Sequence, residues 1–236
     1  MVKKVSRETK MKRKKYRLYE GFRVATLLTF VSGYIDAYTF HTQGQRFAAV
    51  QTGNLIYFAM ALAEQNWVRV FDYAVPLLVF SFGQWFNYAI RRHITVSNLR
   101  WHAFGSHMML IILVLTALTA NHLPPTLTIT GLSFFASIQV DTFKRLRGAP
   151  YGNVMMTGNI KNAAHLLSKG FLEKNRQFKK EGLLVYGVIL SFVVGIIIST
   201  YVTSHFEEYA LYLAIIPVLL LNYWLINEKE GPHPQK

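Results

Sequence analysis

"VMMTGNIKNAAHLLSK" at 154–169 decides how the chain is threaded. It is apolar enough to enter a bilayer, yet its polar residues Asn159, Lys161, Asn162 and His165 make it a poor span. One lysine at the centre of a membrane helix costs about 2.5–3.5 kcal/mol on insertion scales. A second stretch, "AVQTGNLIYFAMALAE" at 49–64, carries the same word, Thr-Gly-Asn, at 52–54 that the first carries at 157–159. Both segments fall short of the roughly 20 residues needed to cross the hydrocarbon.

The rest of the chain supplies the surrounding frame. Hydrophobic residues make up 52% of the 236, and charged residues only 16%, against roughly 25% in an average soluble domain. Mean hydropathy is +0.22. Uncharged runs such as "GLLVYGVILSFVVGIIISTYVT" at 182–203 are long enough to span. These features predict an all-α integral membrane protein. Apolar segments fall at 22–41, 47–63, 71–90, 103–120, 124–143, 153–168, 182–203 and 209–226.

Charge then chooses the topology. Nine of the 26 Lys and Arg lie in the first 20 residues, a positive-inside signal that also attracts anionic lipid. If all eight segments crossed, Arg46, Arg91, Arg92, Arg100, Lys144, Arg145 and Arg147 would all lie outside. If the two Thr-Gly-Asn segments dip in and return, the outer loops 41–50, 64–70, 121–123 and 204–208 hold only Arg46 and Arg69. The sequence therefore predicts six transmembrane helices plus two short re-entrant helices, with both termini in the cytoplasm. The net charge of +14 needs no nucleic acid to explain it, because no nucleic-acid motif accompanies it. No cleavable leader is expected, since no A-x-A-like site follows the first apolar run.

The halves align as an inverted 3+3 repeat. "GYIDAYTF" at 33–40 matches "ASIQVDTF" at 136–143, each followed by a loop and Thr-Gly-Asn, and Gly83 and Gly195 fall in equivalent long helices. Three spans per half reverse the second half in the membrane, as in many transporters. The organisation read from this is a basic cytoplasmic tail at 1–20, a first membrane repeat at 21–120, a second at 121–227 and a cytoplasmic tail at 228–236.

Asp36 lies within the first span, where an ionisable residue is a functional candidate; its repeat mate is Gln139. Thr and Asn cap helix starts, Gly allows close approach, and a helix start favours anionic or polar groups. The expected solute or ion pathway is thus Asp36, Thr52, Gly53, Asn54, Gln139, Thr157, Gly158 and Asn159. A structural reading is also open, in which Asp36 braces the interior and Thr-Gly-Asn marks tight helix crossings.

Secondary candidates are Gln84 and Asn87, which share a face, and Lys161 and His165, four apart near the cytoplasmic mouth. Asp141 is expected to be a surface or cap residue. His93, His102 and His107 match no metal spacing and read as interfacial. Trp67, Trp85, Trp101 and Trp224 suit interfacial belts. Gly187, Ser191, Gly195 and Ser199 recur every four residues as a close-packing face for the other repeat or for a homo-oligomer. No nucleophile motif, phosphate loop or paired carboxylates occur. The expectation is no enzyme, no catalytic residue, no metal and no cofactor.

Taken together, "GYIDAYTF…QTGNLIYFAMALA" and "ASIQVDTFKRLRGAPYGNVMMTGNIKNAAHLL" resemble the YoaK family of bacterial membrane proteins, with Gly-x-x-Asp-Ala in the first helix and two spaced Thr-Gly motifs. The likeness covers about 20–225. It implies a six-span domain of unknown function in a bacterial cell membrane. Lys161 makes the second short segment more polar than that family's pattern. The function expected is a membrane transport protein for a small solute or ion, and the alternative is a non-transport scaffold or regulatory interaction protein.

Overall fold

The computed structural model describes residues 16–94 and 98–228, the side chains of residues 98 and 99 excepted. Most of the basic tail, and with it the expected contact of that tail with anionic lipid, lies outside the described residues, as does 229–236.

Among the described residues eight α-helices follow one another: α1 (Phe22–Thr42), α2 (Gln51–Ala63), α3 (Trp67–His93), α4 (Asn98–Thr119), α5 (Pro125–Thr142), α6 (Met156–Leu172), α7 (Arg176–Phe206) and α8 (Ile215–Ile226). A two-residue hairpin, β1 (Arg145–Leu146) and β2 (Ala149–Pro150), links α5 to α6. Its turn places Arg147 and Gly148 at φ 51° and 82°, the pair of positive values that a tight two-residue hairpin demands.

Local chemistry sets the boundaries. Pro125 opens α5, where its missing N–H costs nothing. Asn66 and Asn175 accept backbone hydrogen bonds from Arg69 and Gln177, so α3 and α7 begin earlier than hydropathy suggests. Glu207, at φ 48°, ends α7, and Glu207–Ala214 continues as a 3-10 segment. α1 holds that segment: the Tyr34 hydroxyl donates to Ala210 O at 2.6 Å, and Tyr38 donates to the Glu208 carboxylate. Gln43 Nε2 donates to both Glu208 oxygens, at 2.9 and 3.0 Å. Burial pushes the Glu208 carboxyl above its usual range, and these two donors hold it back.

The main core lies between α1, α4, α5 and the 3-10/α8 stretch, with Leu28, Val31, Leu113, Leu132, Phe135 and Leu221 buried in it. The outside is also apolar. Phe82, Trp85, Ile111, Leu115, Leu190 and Ile197 are all exposed, the reverse of a water-facing surface. Arg100–Thr119 and the continuous run Arg176–Ile226 are long and apolar enough to cross a membrane, with mean hydropathy of 1.6 and 2.5.

Helix pairing follows a regular scheme. α1 packs on α7 and α5 on α3; α2 packs on α3 and α6 on α7; α4 packs on α5 and α8 on α1; α4 and α8 meet each other. The α1–α7 crossing brings backbone against backbone. A Cβ on Gly33 would sit 2.3 Å from Phe192 O, and one on Gly195 would sit 2.3 Å from Phe30 O. The α3–α5 crossing does the same with a side chain, since a Cβ on Gly83 would lie 2.3 Å from Ser137 Oγ. The four-residue face on α7 is thus used within the chain: Gly195 meets α1, Gly187 lies beside Phe22, and Ser199 is buried.

Arg46 lies in the loop between α1 and α2, as expected, and is buried there: its Nε donates to Gln43 O at 2.7 Å and its Nη1 lies 3.3 Å from Asp72. Burial lowers its guanidinium and Asp72 opposes that shift. Asp141 is buried and paired with Lys144 rather than exposed at the surface, because the last turn of α5 is covered. Trp101 is buried under the Arg91 guanidinium, 5.2 Å from its ring, unlike exposed Trp67 and Trp85.

The crossings give a direct test. Gly33→Ala and Gly195→Ala should each destabilise the purified protein by about 1–3 kcal/mol or more, through overpacking. Gly158→Ala, where a Cβ meets nothing within 4 Å, should be neutral or raise stability by up to about 1 kcal/mol through helix propensity. Thermal unfolding in detergent reads both; equal losses at Gly33 and Gly158 would contradict the assigned crossing.

Candidate functional site

The start of α2 is held by a side chain from another helix. Asp36 is 3% exposed, and its Oδ1 accepts from Ala49 N at 2.8 Å and Val50 N at 3.3 Å. These N–H groups precede the first turn, which has no side-chain cap of its own. Without water, such groups need a protein partner. Asp36 Oδ2 is buried and has no hydrogen-bond partner among the described residues. Thr39, one turn further along α1, accepts from Ala48 N at 3.3 Å.

Thr-Gly-Asn lies inside the first turn of α2 and of α6, not at the cap as the sequence suggested. Asn54 instead reaches back seven residues. Its Nδ2 donates to Phe47 O at 2.7 Å and its Oδ1 accepts from Phe47 N at 2.9 Å. A further donation to Gln51 Oε1 at 2.9 Å completes its set. Asn159 makes the matching clasp: its Nδ2 donates to Gly152 O, again seven residues earlier, at 2.7 Å. In both copies the asparagine folds the incoming loop against its own helix.

The other two letters behave differently. Thr52 and Thr157 are exposed, on faces with Leu55, Ile56 and Met60 or with Ile160 and Lys161. Gly53 makes room for an aromatic ring, because a Cβ there would lie 2.7 Å from Phe47; Phe47 in turn stacks on Phe40 at 5.0 Å. Gly158 borders open space. The two glycines therefore share a position and not a role.

Gln139, which the sequence aligns with Asp36, is also buried. Its Nε2 donates to Ser32 Oγ at 2.6 Å and Leu28 O at 3.1 Å on α1. Asn153 Nδ2 donates to Gln139 O at 3.2 Å and Phe143 O at 3.1 Å. Gln139 Oε1 and Asn153 Oδ1 are buried acceptors without partners among the described residues. The residues preceding the two short helices come together: Ala49 and Val154 share one buried cluster with Ala136, packed by Phe80 and Val140. The helices themselves pack on different long partners, α2 on α3 and α6 on α7.

Among the secondary candidates, Gln84 donates to Ser137 O at 2.8 Å and to Ser137 Oγ at 3.1 Å, an interhelical link. Asn87 is buried with an unpartnered Nδ2. Lys161 and His165 are exposed. Asn159 lines a cavity of about 210 Å³ between the hairpin, α6 and α7, with Tyr151, Asn162, Arg147 and Glu181. Among the described residues no group of three or more His, Asp or Glu stands close enough to hold a metal. Sequence reasoning missed Asn153 and Thr39 as bracing residues; the loop before each Thr-Gly-Asn was the signal available.

The class defined by this geometry is a predominantly helical protein with membrane-compatible apolar helices and a buried polar junction. The chain matches the family described as "Protein of unknown function (DUF1275)" over residues 24–224. It belongs to that family, which agrees with its resemblance to YoaK-like proteins. No curated protein and no solved structure matches it.

Removing the junction's acceptor should cost more than neutralising it. Asp36→Ala strands two N–H groups and should destabilise by about 2–6 kcal/mol, since each buried orphan costs about 1–3 kcal/mol. Asp36→Asn keeps an acceptor oxygen and should lose less. Asn54→Ala, which removes three hydrogen bonds, should cost more than Asn159→Ala. Chemical denaturation in detergent checks the order; Asp36→Ala no worse than Asp36→Asn would refute the cap.

Proposed function

We propose that the chain is a non-enzymatic membrane transport protein for a small solute or ion, built as two inverted repeats of three spans with one re-entrant helix each. The observation that carries this reading is Asp36: a buried carboxyl with one oxygen committed to the start of α2 and the other unpartnered. Gln139 Oε1 and Asn153 Oδ1 add two unpartnered acceptors at the counterpart position. A buried carboxyl with a spare oxygen, together with these further spare acceptors, suits a proton or a small cation.

The pairing scheme supports the repeat. Exchanging each helix of the first half with its counterpart in the second turns α1–α7 into α5–α3, α2–α3 into α6–α7 and α4–α5 into α8–α1, all of which occur. The twin seven-residue clasps of Asn54 and Asn159 obey the same exchange. Ala49 and Val154 are separated by the same interval as the two Thr-Gly-Asn words.

In this reading the apolar cluster of Ala49, Ala136 and Val154 is a closed constriction. The cavity at Asn159 is the mouth on the hairpin side, which the arginine distribution assigns to the cytoplasm of a bacterial cell. Transport requires the two helix starts to part and expose Asp36 in turn to each side. Thr52 and Thr157 leave the pathway, whereas Asp36, Gln139, Asn153 and Asn159 line it. A non-transport scaffold is the second reading. It is favoured by Asp36 lining none of the cavities at Asn159, at His102 or at Trp224.

Proteoliposome flux separates the two. Wild type should move a solute or ion from a broad panel that includes protons and alkali cations. Asp36→Asn should abolish flux while leaving the folded fraction near wild type, and Asn54→Ala/Asn159→Ala should slow it. A folded wild type that moves nothing would sink the transport reading. For topology, the chain is Cys-free: Arg145→Cys should label from the cytoplasm and Gln65→Cys from outside. Labelling of both from one side would overturn the six-span arrangement.

A further inference from the structure

Four helix ends converge on a second, more polar cavity. It has a volume of about 400 Å³ and is lined by Arg91 from the end of α3, His102 from α4, Thr142 from the end of α5, Lys144 and Arg145 after it, and Tyr19 and Glu20 before α1. Three cations thus face one carboxylate across a space of several waters.

The walls are fixed rather than loose. The His102 ring stacks on Tyr19 with centroids 3.8 Å apart and meets the edge of Phe143 at 5.3 Å. The Arg91 guanidinium lies over buried Trp101 at 5.2 Å. Lys144 is held by Asp141, and the Arg147 N–H donates to Glu20 O at 2.8 Å, which ties the hairpin to the segment before α1. The Thr142 hydroxyl is buried and has no hydrogen-bond partner among the described residues.

We propose that this cavity binds a phosphate group. Guanidinium and ammonium donors on rigid supports match phosphate oxygens by charge-assisted hydrogen bonds. The polarity and the concentration of cations set it apart from the cavity at Asn159. Basic pockets between helix ends at a membrane surface receive lipid headgroups in this way, and a free phosphate ion offers the same oxygens. Glu20 opposes the anion and tunes its affinity down. The site is independent of the transport reading, because none of its residues belongs to the junction around Asp36.

The full chain, purified in nonionic detergent, is titrated with inorganic phosphate by calorimetry. In a second arm it is embedded in phosphatidylcholine nanodiscs with and without phosphatidylglycerol, and bound lipid is counted by native mass spectrometry. Lys144→Gln/Arg145→Gln should weaken binding by about tenfold or more. Glu20→Gln should strengthen it, and Lys161→Gln, on exposed α6, should leave it unchanged. Binding of inorganic phosphate with this pattern assigns the site to a free ion. Binding of phosphatidylglycerol alone with the same pattern assigns it to a lipid headgroup. Absence of both, or binding that ignores Lys144→Gln/Arg145→Gln, would overturn the proposal.

Discussion

A helix that begins inside a protein leaves its first N–H groups without partners, and water is not there to supply them. The bond from Ala49 and Val50 to Asp36 Oδ1 meets that requirement for α2. Much of the first half follows from it. The loop 43–50 must return toward α1, Asn54 must clasp Phe47 to fold it, and Gly53 must stay small so that Phe47 fits. Arg46 then fastens the same loop to Asp72 on α3 and Gln43 at the end of α1. Around α6 the side-chain bonds run to carbonyls instead: Asn153 Nδ2 donates to Gln139 O and Phe143 O, and Asn159 Nδ2 donates to Gly152 O, so no side chain caps the start of that helix. The spare acceptor at Asp36 is a carboxyl oxygen, whereas those at Gln139 and Asn153 are neutral amide oxygens.

Most of the fold was legible in the sequence because hydropathy and helix length are coupled. All eight expected segments are helical. The ends moved where polar residues replaced hydropathy as the determinant. α7 starts at Arg176, well before its apolar run at 182, because Asn175 caps a polar first turn. α2 starts at Gln51 and not at 47, since Ala48, Ala49 and Val50 give their N–H groups to Thr39 and Asp36. α8 is shorter than its apolar stretch, because Tyr34 and Tyr38 hold Glu207–Ala214 as a 3-10 segment against α1. The last of these contacts join residues at least 170 positions apart, and periodicity carries no trace of them.

The candidate site was half legible. Asp36 and Gln139 are buried and polar as an ionisable or amide residue within an apolar helix implies. The Thr-Gly-Asn words fall in the first turns of the two short helices, where they do not act as caps. Their threonines face outward, and their asparagines brace the loops before them. The glycines could not be read at all from sequence, since one faces an aromatic ring and the other open space. The cavity around His102 was equally hidden, because its seven lining residues come from four separate helix ends.

The account rests on the meeting of the two short-helix starts at one buried junction. Intramolecular cross-linking in this Cys-free chain tests it most directly. Ala49→Cys/Val154→Cys should cross-link within native membranes through a short bifunctional reagent, while Thr52→Cys/Thr157→Cys, on outward faces, should not. Cross-linking of the threonine pair with none at the Ala49 and Val154 positions would contradict the junction and the account built on it.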